Sequence, residues 1–428
     1  MNAFPTIFAL SSGAPPSAIG VVRMSGPQAR AALTALAGRL PEPRRASLVK
    51  LRDADGALLD EALALWFPGP NTATGEDLAE LHCHGGRAVI AAVEAALAAL
   101  PGLRRAEPGE FTRRAFANGR IDLAEAEGLA DLLTAETELQ RAAALANAGG
   151  ALSRQVEDWR AHVLALSAEI EAVLDFSDEE DALDLPESFT WNIAALATAL
   201  GEWLARPRSE RLGEGFRVVL AGPPNAGKST LFNALIESEA AITSPIAGTT
   251  RDVIERSVGI GGVPLTFVDT AGLRDGAVSD NIEAIGIDRA RAELARADLV
   301  LWLGPEGEGP DGGWEIAAQA DRSDFEGKAT ARFTVSATTG GGLGALKSAL
   351  VDVARGALPK PGEAALNARQ HVRLAETAEA LAAAERLTDP LLIAEELRRA
   401  RLALDRLIGR ATTEDMLDTL FGRFCIGK

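Results

Sequence analysis

Residues 216–230 read Phe216-Arg-Val-Val-Leu-Ala-Gly222-Pro-Pro-Asn225-Ala226-Gly227-Lys228-Ser229-Thr230, and this stretch decides the fold of the middle of the chain. Phe216 to Ala221 is a short apolar run of the kind that forms a buried parallel strand. It feeds the pattern G-x-x-x-x-G-K-[ST], after which a helix opens and runs through Leu231 to Leu235. Strand, glycine loop and helix in that order form a cradle for phosphates. The glycines let the loop wrap closely, and its backbone N–H groups point at the anion. Lys228 supplies a point charge for the β- and γ-phosphates, and the Ser229 hydroxyl is placed to ligate Mg²⁺. A chance match in a Gly-rich chain is the bland alternative, and the strand–loop–helix context speaks against it.

Working outward, short strands continue at Leu265–Val268, Leu299–Leu303 and Phe333–Val335, alternating with helical patterns, so residues 212–357 read as an α/β domain. Asp269-Thr-Ala-Gly272 directly follows one of those strands. A carboxylate there can hold Mg²⁺ through water, and the Gly272 N–H can sense a γ-phosphate. Between the two motifs lies Ser244-Pro-Ile246-Ala-Gly-Thr249-Thr250-Arg-Asp. A Thr here, Thr250 in the Mg²⁺ set with Ser229, can close over the ion only while the γ-phosphate is present. An ordinary turn is the alternative reading. Guanine selection in such domains normally uses N-K-x-D and S-A-K. The corresponding residues are Ala318-Gln319-Ala320-Asp321 and Ser336-Ala337-Thr338. Asp321 can accept hydrogen bonds from guanine N1–H and the exocyclic amine, which adenine cannot offer. Without the bracing Asn and the covering Lys, selectivity for GTP rests on Asp321, unless that residue is only a loop acid.

The chain has 428 residues, room for two or three domains, and a formal net charge of -18, which argues against a broad phosphate-gripping surface for nucleic acid. Two cysteines far apart in the chain, Cys83 and Cys425, argue against a disulfide framework and fit a reducing compartment. The opening residues lack the basic and apolar regions of a signal peptide, and the Ala-rich run Ala88–Leu100 is too short to span a bilayer, so a cytoplasmic protein is expected.

Residues 1–115 mix β-branched runs, such as Ala18–Arg23 and Ala62–Trp66, with turns and one Ala-rich helix, the pattern of a small α+β domain. From 116 to 211 the chain turns helical, with Val156, Trp159, Val163, Leu166, Ile170 and Val173 forming one stripe after a break at Gly149–Gly150. Asp178–Asp184 reads as a solvated acidic loop. After a PKPGE linker at 359–363, residues 358–428 resume the helical pattern with Ile393, Leu397, Ala400, Leu404 and Leu407. The economical architecture is one helical domain built from two stretches with the α/β domain inserted between them.

The motifs together resemble one family. GVVRMSGP (20–27), TGEDLAELHCHGG (74–86), PGEFTRRAFANGRIDLAEAEGLADL (108–132), GPPNAGKSTLFNAL (222–235), PIAGTTRD (245–252), DTAGLR (269–274) and FCIGK (424–428) are similar to the tRNA modification GTPases called MnmE or TrmE, over nearly the whole length. The resemblance implies a multidomain α/β plus α protein: an N-terminal α+β dimerisation domain, a discontinuous helical domain and an inserted Ras-like P-loop G domain. It implies a homodimer working with an FAD- and NADH-dependent, MnmG-like flavoprotein on tRNA. Together they add a carboxymethylaminomethyl or aminomethyl group at C5 of the wobble uridine, using the one-carbon unit of 5,10-methylene- or 5-formyl-tetrahydrofolate. The G domain would use K⁺ at Asn225, Ser244, Ile246 and Thr249 in place of an arginine finger, with Glu283 orienting the attacking water. Folate contacts map onto Arg23, Glu80, Arg120 and Lys428, and Cys425 carries a role in the modification chemistry or is inert. Arg120 stands where Lys is common, and Ala73 where Tyr is usual. The consecutive His82, Cys83 and His84 invite zinc, but no matching pair follows, and a tight turn into Gly85–Gly86 is the better reading. A ribosome-assembly GTPase is the rival function. It would need a basic RNA-binding module after the α/β domain, where an amphipathic helical stretch stands instead.

Overall fold

The computed structural model describes residues 5–175, 185–237, 240–241, 254–270, 291–411, 414–422 and 424–427. The chain separates into two compact units, one made of residues up to Ala130 and from Asp405 onward, the other of Asp131–Leu404.

In the first unit, β1 (Thr6–Leu10), β2 (Ile19–Ser25), β3 (Ser47–Arg52), β4 (Leu58–Phe67), β5 (Leu78–His84) and β6 (Leu103–Arg105) form one sheet in the order β3-β4-β5-β2-β1-β6. All pairings are antiparallel except β1 with β6. The alternating pattern of β2 buries Val22 and Met24, and these pack with Phe8, Leu81, Leu33 of α1 (Ala29–Ala37) and Ile90, Val93 and Leu97 of α2 (Arg87–Ala98). His82, Cys83 and His84 are the end of strand β5, not a turn, because Cys83 belongs to the buried face of that sheet. Two further helices, α3 (Glu110–Ala117) and α4 (Leu123–Thr134), follow. A segment from the far end of the chain completes this unit: Phe421 and Phe424 bury themselves with Ala126 of α4.

The second unit contains α5 (Glu138–Ala148), α6 (Ala151–Asp175), α7 (Ser188–Leu204), α8 (Glu210–Glu214), β7 (Phe216–Ala221), α9 (Lys228–Ile236), β8 (Ala240–Ala241), β9 (Ile254–Ile260), β10 (Val263–Asp269), β11 (Leu299–Trp302), β12 (Trp314–Ala317), β13 (Phe333–Thr334), α10 (Leu343–Ala357), α11 (Ala368–Arg386) and most of α12 (Pro390–Leu407). α13 (Glu414–Phe421) belongs to the first unit. The sheet runs β13-β12-β11-β7-β10-β9-β8, with β13 to β10 parallel and β9 antiparallel to β10. The expected stripe of α6 is buried at Val156, Trp159, Val163, Leu166 and Ile170. Trp159 meets Trp203 of α7 edge-on, with ring centroids 5.4 Å apart. The sheet-bearing segment enters and leaves this helical body at one point, where the Ser209 N–H donates to the Leu366 carbonyl at 3.0 Å. That proximity is what makes an insertion cheap. The acidic run expected at Asp178–Asp184 lies outside the described residues.

Candidate nucleotide site

The phosphate loop starts where β7 ends, at the centre of the sheet with β11 on one side and β10 on the other. It turns through three positive-φ residues, Gly222 (149°), Asn225 (62°) and Gly227 (88°), and Gly227 caps α9. A Cβ on Gly222 would lie 2.9 Å from the Gly304 nitrogen, so glycine is required there for close packing as well as for its dihedral angles. The N-terminus of α9 therefore faces the hollow of the loop, an anion-binding arrangement. Lys228 is buried, and its Nζ donates to the carbonyls of Gly222 (3.1 Å) and Pro223 (2.8 Å), which holds the ammonium over the loop. Ser229 and Thr230 are exposed on the first turn of α9.

Asp269 ends β10, fully buried, in register with Leu220 of β7. Thr270 fixes that end of the strand by donating its hydroxyl to the Leu220 carbonyl at 2.8 Å. A hydroxyl at Ser229 and a carboxylate at Asp269 are hard oxygen donors, the chemistry that Mg²⁺ requires. Ser244, Ile246, Thr249, Thr250, Gly272 and Glu283 lie outside the described residues.

The residues expected to read the base come from the loops after β12 and β13. Ser336, buried, donates its hydroxyl to Asp321 Oδ1 at 2.6 Å. That bond is the main reason the Asp321 carboxyl is held below its ordinary range, so it stays an ionised acceptor. Ala337 follows directly beside it. Gln319, which stands where the N-K-x-D pattern carries Lys, was read from the sequence only as a departure from that pattern, yet its Nε2 donates to the Asn225 carbonyl across 3.0 Å and joins this loop to the phosphate loop.

In the first unit, Arg23 of β2 and Glu80 of β5 stand opposite each other in register and pair at 2.9 Å. His82 Nε2 lies 3.3 Å from the other Glu80 oxygen, and the Arg23 guanidinium sits 5.9 Å from the Phe111 ring centroid. Arg120 is exposed beside Gly75, and among the described residues no hydrogen bond or ion pair links it to that pair. The FCIGK segment reaches the same sheet: Ile426 bridges Pro108, and Ser11 donates its hydroxyl to the Gly427 carbonyl at 2.7 Å. Cys425 is exposed, and Lys428 is outside the described residues. Cys83 differs sharply: burial, and then the neighbouring Asp60 charge, push its thiol up to about 12, which makes it inert. Among the described residues no group of three or more His, Cys, Asp or Glu is arranged to hold a metal, and no helix is long and apolar enough to cross a membrane.

Comparison with known proteins agrees with this layout. The family model described as the GTP-binding protein TrmE N-terminus matches residues 6–120, and that of the MnmE helical domain matches 123–425. The tRNA modification GTPase MnmE of Erythrobacter litoralis is 66% identical over 423 residues, covering 99% of this chain and 100% of that protein. The protein of the same name from Novosphingobium aromaticivorans is 65% identical over 435 residues, covering 99% of each. The molecule thus has an N-terminal α+β domain, a discontinuous helical domain and an inserted Ras-like P-loop G domain. The chain belongs to the MnmE family of tRNA modification GTPases.

Proposed function

We propose that this chain is a potassium-activated GTPase that modifies C5 of the wobble uridine of certain tRNAs together with an FAD- and NADH-dependent, MnmG-like flavoprotein. The product group is carboxymethylaminomethyl or aminomethyl. The observation that carries the reading is the phosphate loop holding buried Lys228 through its own carbonyls, with Asp269 buried at the end of the neighbouring strand and Asp321 held ionised by Ser336. In this reading Lys228 and the loop N–H groups bind the β- and γ-phosphates, and Ser229 and Thr250 hold Mg²⁺. Asn225 with Ser244, Ile246 and Thr249 holds K⁺, which supplies the positive charge that an arginine finger supplies elsewhere. Glu283 orients the attacking water, and Gly272 senses the γ-phosphate.

Arg23, Glu80, Arg120 and Lys428 hold a tetrahydrofolate derivative, which supplies the one-carbon unit. The Arg23–Glu80 pair offers both signs of charge on one sheet, suited to a ligand with donor-rich ring edges and carboxylates. Cys425, exposed close to this sheet, takes part in the modification chemistry. The protein works as a cytoplasmic homodimer. Its division is 1–115, 116–211, 212–357 and 358–428.

The test is GTP turnover by purified protein with Mg²⁺ in K⁺ and in Na⁺, alongside Lys228→Ala. Turnover is expected in K⁺, with a strong fall in Na⁺ and loss in the variant. Equal turnover in both salts removes potassium activation, and turnover unaffected by Lys228→Ala removes the assigned site. Nucleoside analysis of tRNA from a deletion strain, with and without the gene restored, tests the modification.

A further inference from the structure

We propose that Thr74 is a positioning residue that fixes where Arg120 stands relative to the Arg23–Glu80 pair. The inference rests on the folate reading above.

The connection between Arg120 and that pair is built through the loop that joins β4 to β5, residues 68–77. Arg23 and Ser25 alternate with Val22 and Met24 along β2, so both stand on the face away from the apolar cluster. The Ser25 hydroxyl lies 2.7 Å from Thr74 Oγ1 and donates to Glu76 Oε2, also at 2.7 Å. A carboxylate can only accept, so the single Ser25 proton goes to Glu76, and Thr74 is the donor of the other bond. Arg114 holds the same carboxylate at 3.1 Å. Ser25 is fully buried and Thr74 is 1% exposed, so neither hydroxyl can turn to water instead.

The other side of the loop is held by the end of α3. Asn118, the residue after Ala117, donates its Nδ2 to the Thr74 carbonyl at 2.7 Å. Gly75, at φ 79°, then turns its α-carbon toward Arg120. A Cβ there would lie 3.2 Å from Arg120 Cγ and 2.9 Å from Asn118 Cβ. The missing side chain is what lets the stem of Arg120 lie on the loop. Thr74 is therefore held by β2 through its hydroxyl and by α3 through its carbonyl, and its neighbour seats the arginine. The path runs Arg23, Ser25, Thr74, Gly75, Arg120. A long, exposed arginine without such a seat would lose more rotamer freedom on meeting a ligand, so the seat favours binding by pre-organisation.

The probe is 5-formyl-tetrahydrofolate, titrated calorimetrically into the full-length protein. A misplaced hydrogen bond to a charged group corresponds to about a tenfold weaker complex. Thr74→Val keeps the shape and removes the donor, so the Kd is expected to rise about tenfold, while Thr74→Ser should stay within about twofold of wild type. Arg120→Ala is expected to weaken binding at least as much. The double variant Thr74→Val with Arg120→Ala should bind no more weakly than Arg120→Ala alone, because Thr74 acts through the arginine. Gly75→Ala pushes on the Arg120 stem and leaves the Thr74 hydroxyl in place. It should reproduce the loss, and it keeps the inference testable where Thr74→Val does not fold. GTP turnover by Thr74→Val should remain within about twofold of wild type. A merely structural role would lower the melting temperature and give losses that add to those of Arg120→Ala. Wild-type affinity in both Thr74→Val and Gly75→Ala overturns the inference, as does an additive double variant. Wild-type protein that does not bind the folate overturns the folate reading itself, and this inference with it.

Discussion

At the level of single residues, the base end of the nucleotide site makes the sharpest predictions. In the proposed function, Asp321 reads guanine by accepting two donors. Xanthine presents a carbonyl where guanine has its amine, so Asp321→Asn, which adds a donor, should shift preference from GTP toward xanthosine triphosphate. Competition of the two nucleotides for the variant checks this, and unchanged GTP preference rules Asp321 out as the reader. Protonation gives a second test. The folded-state pKa of Asp321 lies below its ordinary value because Ser336 donates to the carboxylate. The ionised acceptor therefore survives as pH falls through the usual carboxylate range, and affinity is lost only below it. Removing the donor in Ser336→Ala should move that loss to higher pH, in GDP titrations between about pH 3.5 and 6. Asp321 and Ser336 could be picked out of the sequence by their order after the phosphate loop, and the structure joins them by a hydrogen bond. The Gln319–Asn225 hydrogen bond could not, because it joins positions 94 apart that both have positive φ, and neither feature follows from local pattern.

At the level of elements, α3 is anchored to the first sheet by a buried charge cluster. Arg114, with only 7% of its side chain exposed, pairs with Glu76 at 3.1 Å and with Glu110 at 2.9 Å, and donates to the Pro5 carbonyl at 2.8 Å. Burial alone would raise the Glu110 pKa, but hydrogen bonds from Arg104, the Glu107 N–H and Arg114 outweigh it and hold it low. A depressed carboxylate pKa gives stability that is present above the unfolded value and lost as pH falls through the folded one. Arg114→Met would leave two carboxylates largely buried without their central cation, and should cost about 3 kcal/mol in denaturant unfolding. A cost below about 0.5 kcal/mol would mean that solvent replaces the arginine. The strands and helices themselves were readable from the sequence. The α6 stripe and the apolar runs of β7 and β10 appear where the periodicity puts them, because burial of one face dictates both. The exception is His82–His84, where paired glycines suggested a turn and the sheet extended the strand instead.

At the level of the molecule, the insertion of the G domain could be read from the return of helical patterning after residue 358. Which helices share its core could not. Leu139 and Ala143 of α5, which precede the phosphate loop by some eighty positions, are buried with Val218, Leu265 and Phe267 of the sheet. The Leu139 N–H also donates to the Gly262 carbonyl at 3.0 Å. Leu139→Ala should therefore destabilise the nucleotide-binding unit by about 3 kcal/mol, seen as a lower midpoint for loss of bound GDP on heating. An unchanged midpoint would show that α5 is dispensable to that unit. The closure of the first unit by a distant segment has a different consequence. Gly427, at φ 98°, presses so closely on the Leu10 carbonyl that a Cβ would sit 2.1 Å from it, and Phe421 and Phe424 fill a pocket beside Ala126. During synthesis, the sheet that emerges earliest must wait, with that seam open, until residues beyond 404 have left the ribosome. The inserted α/β domain can finish folding meanwhile. A sheet made before the inserted domain is thus sealed only after it, which makes that sheet the natural point of attack for chaperones and proteases on any truncated product.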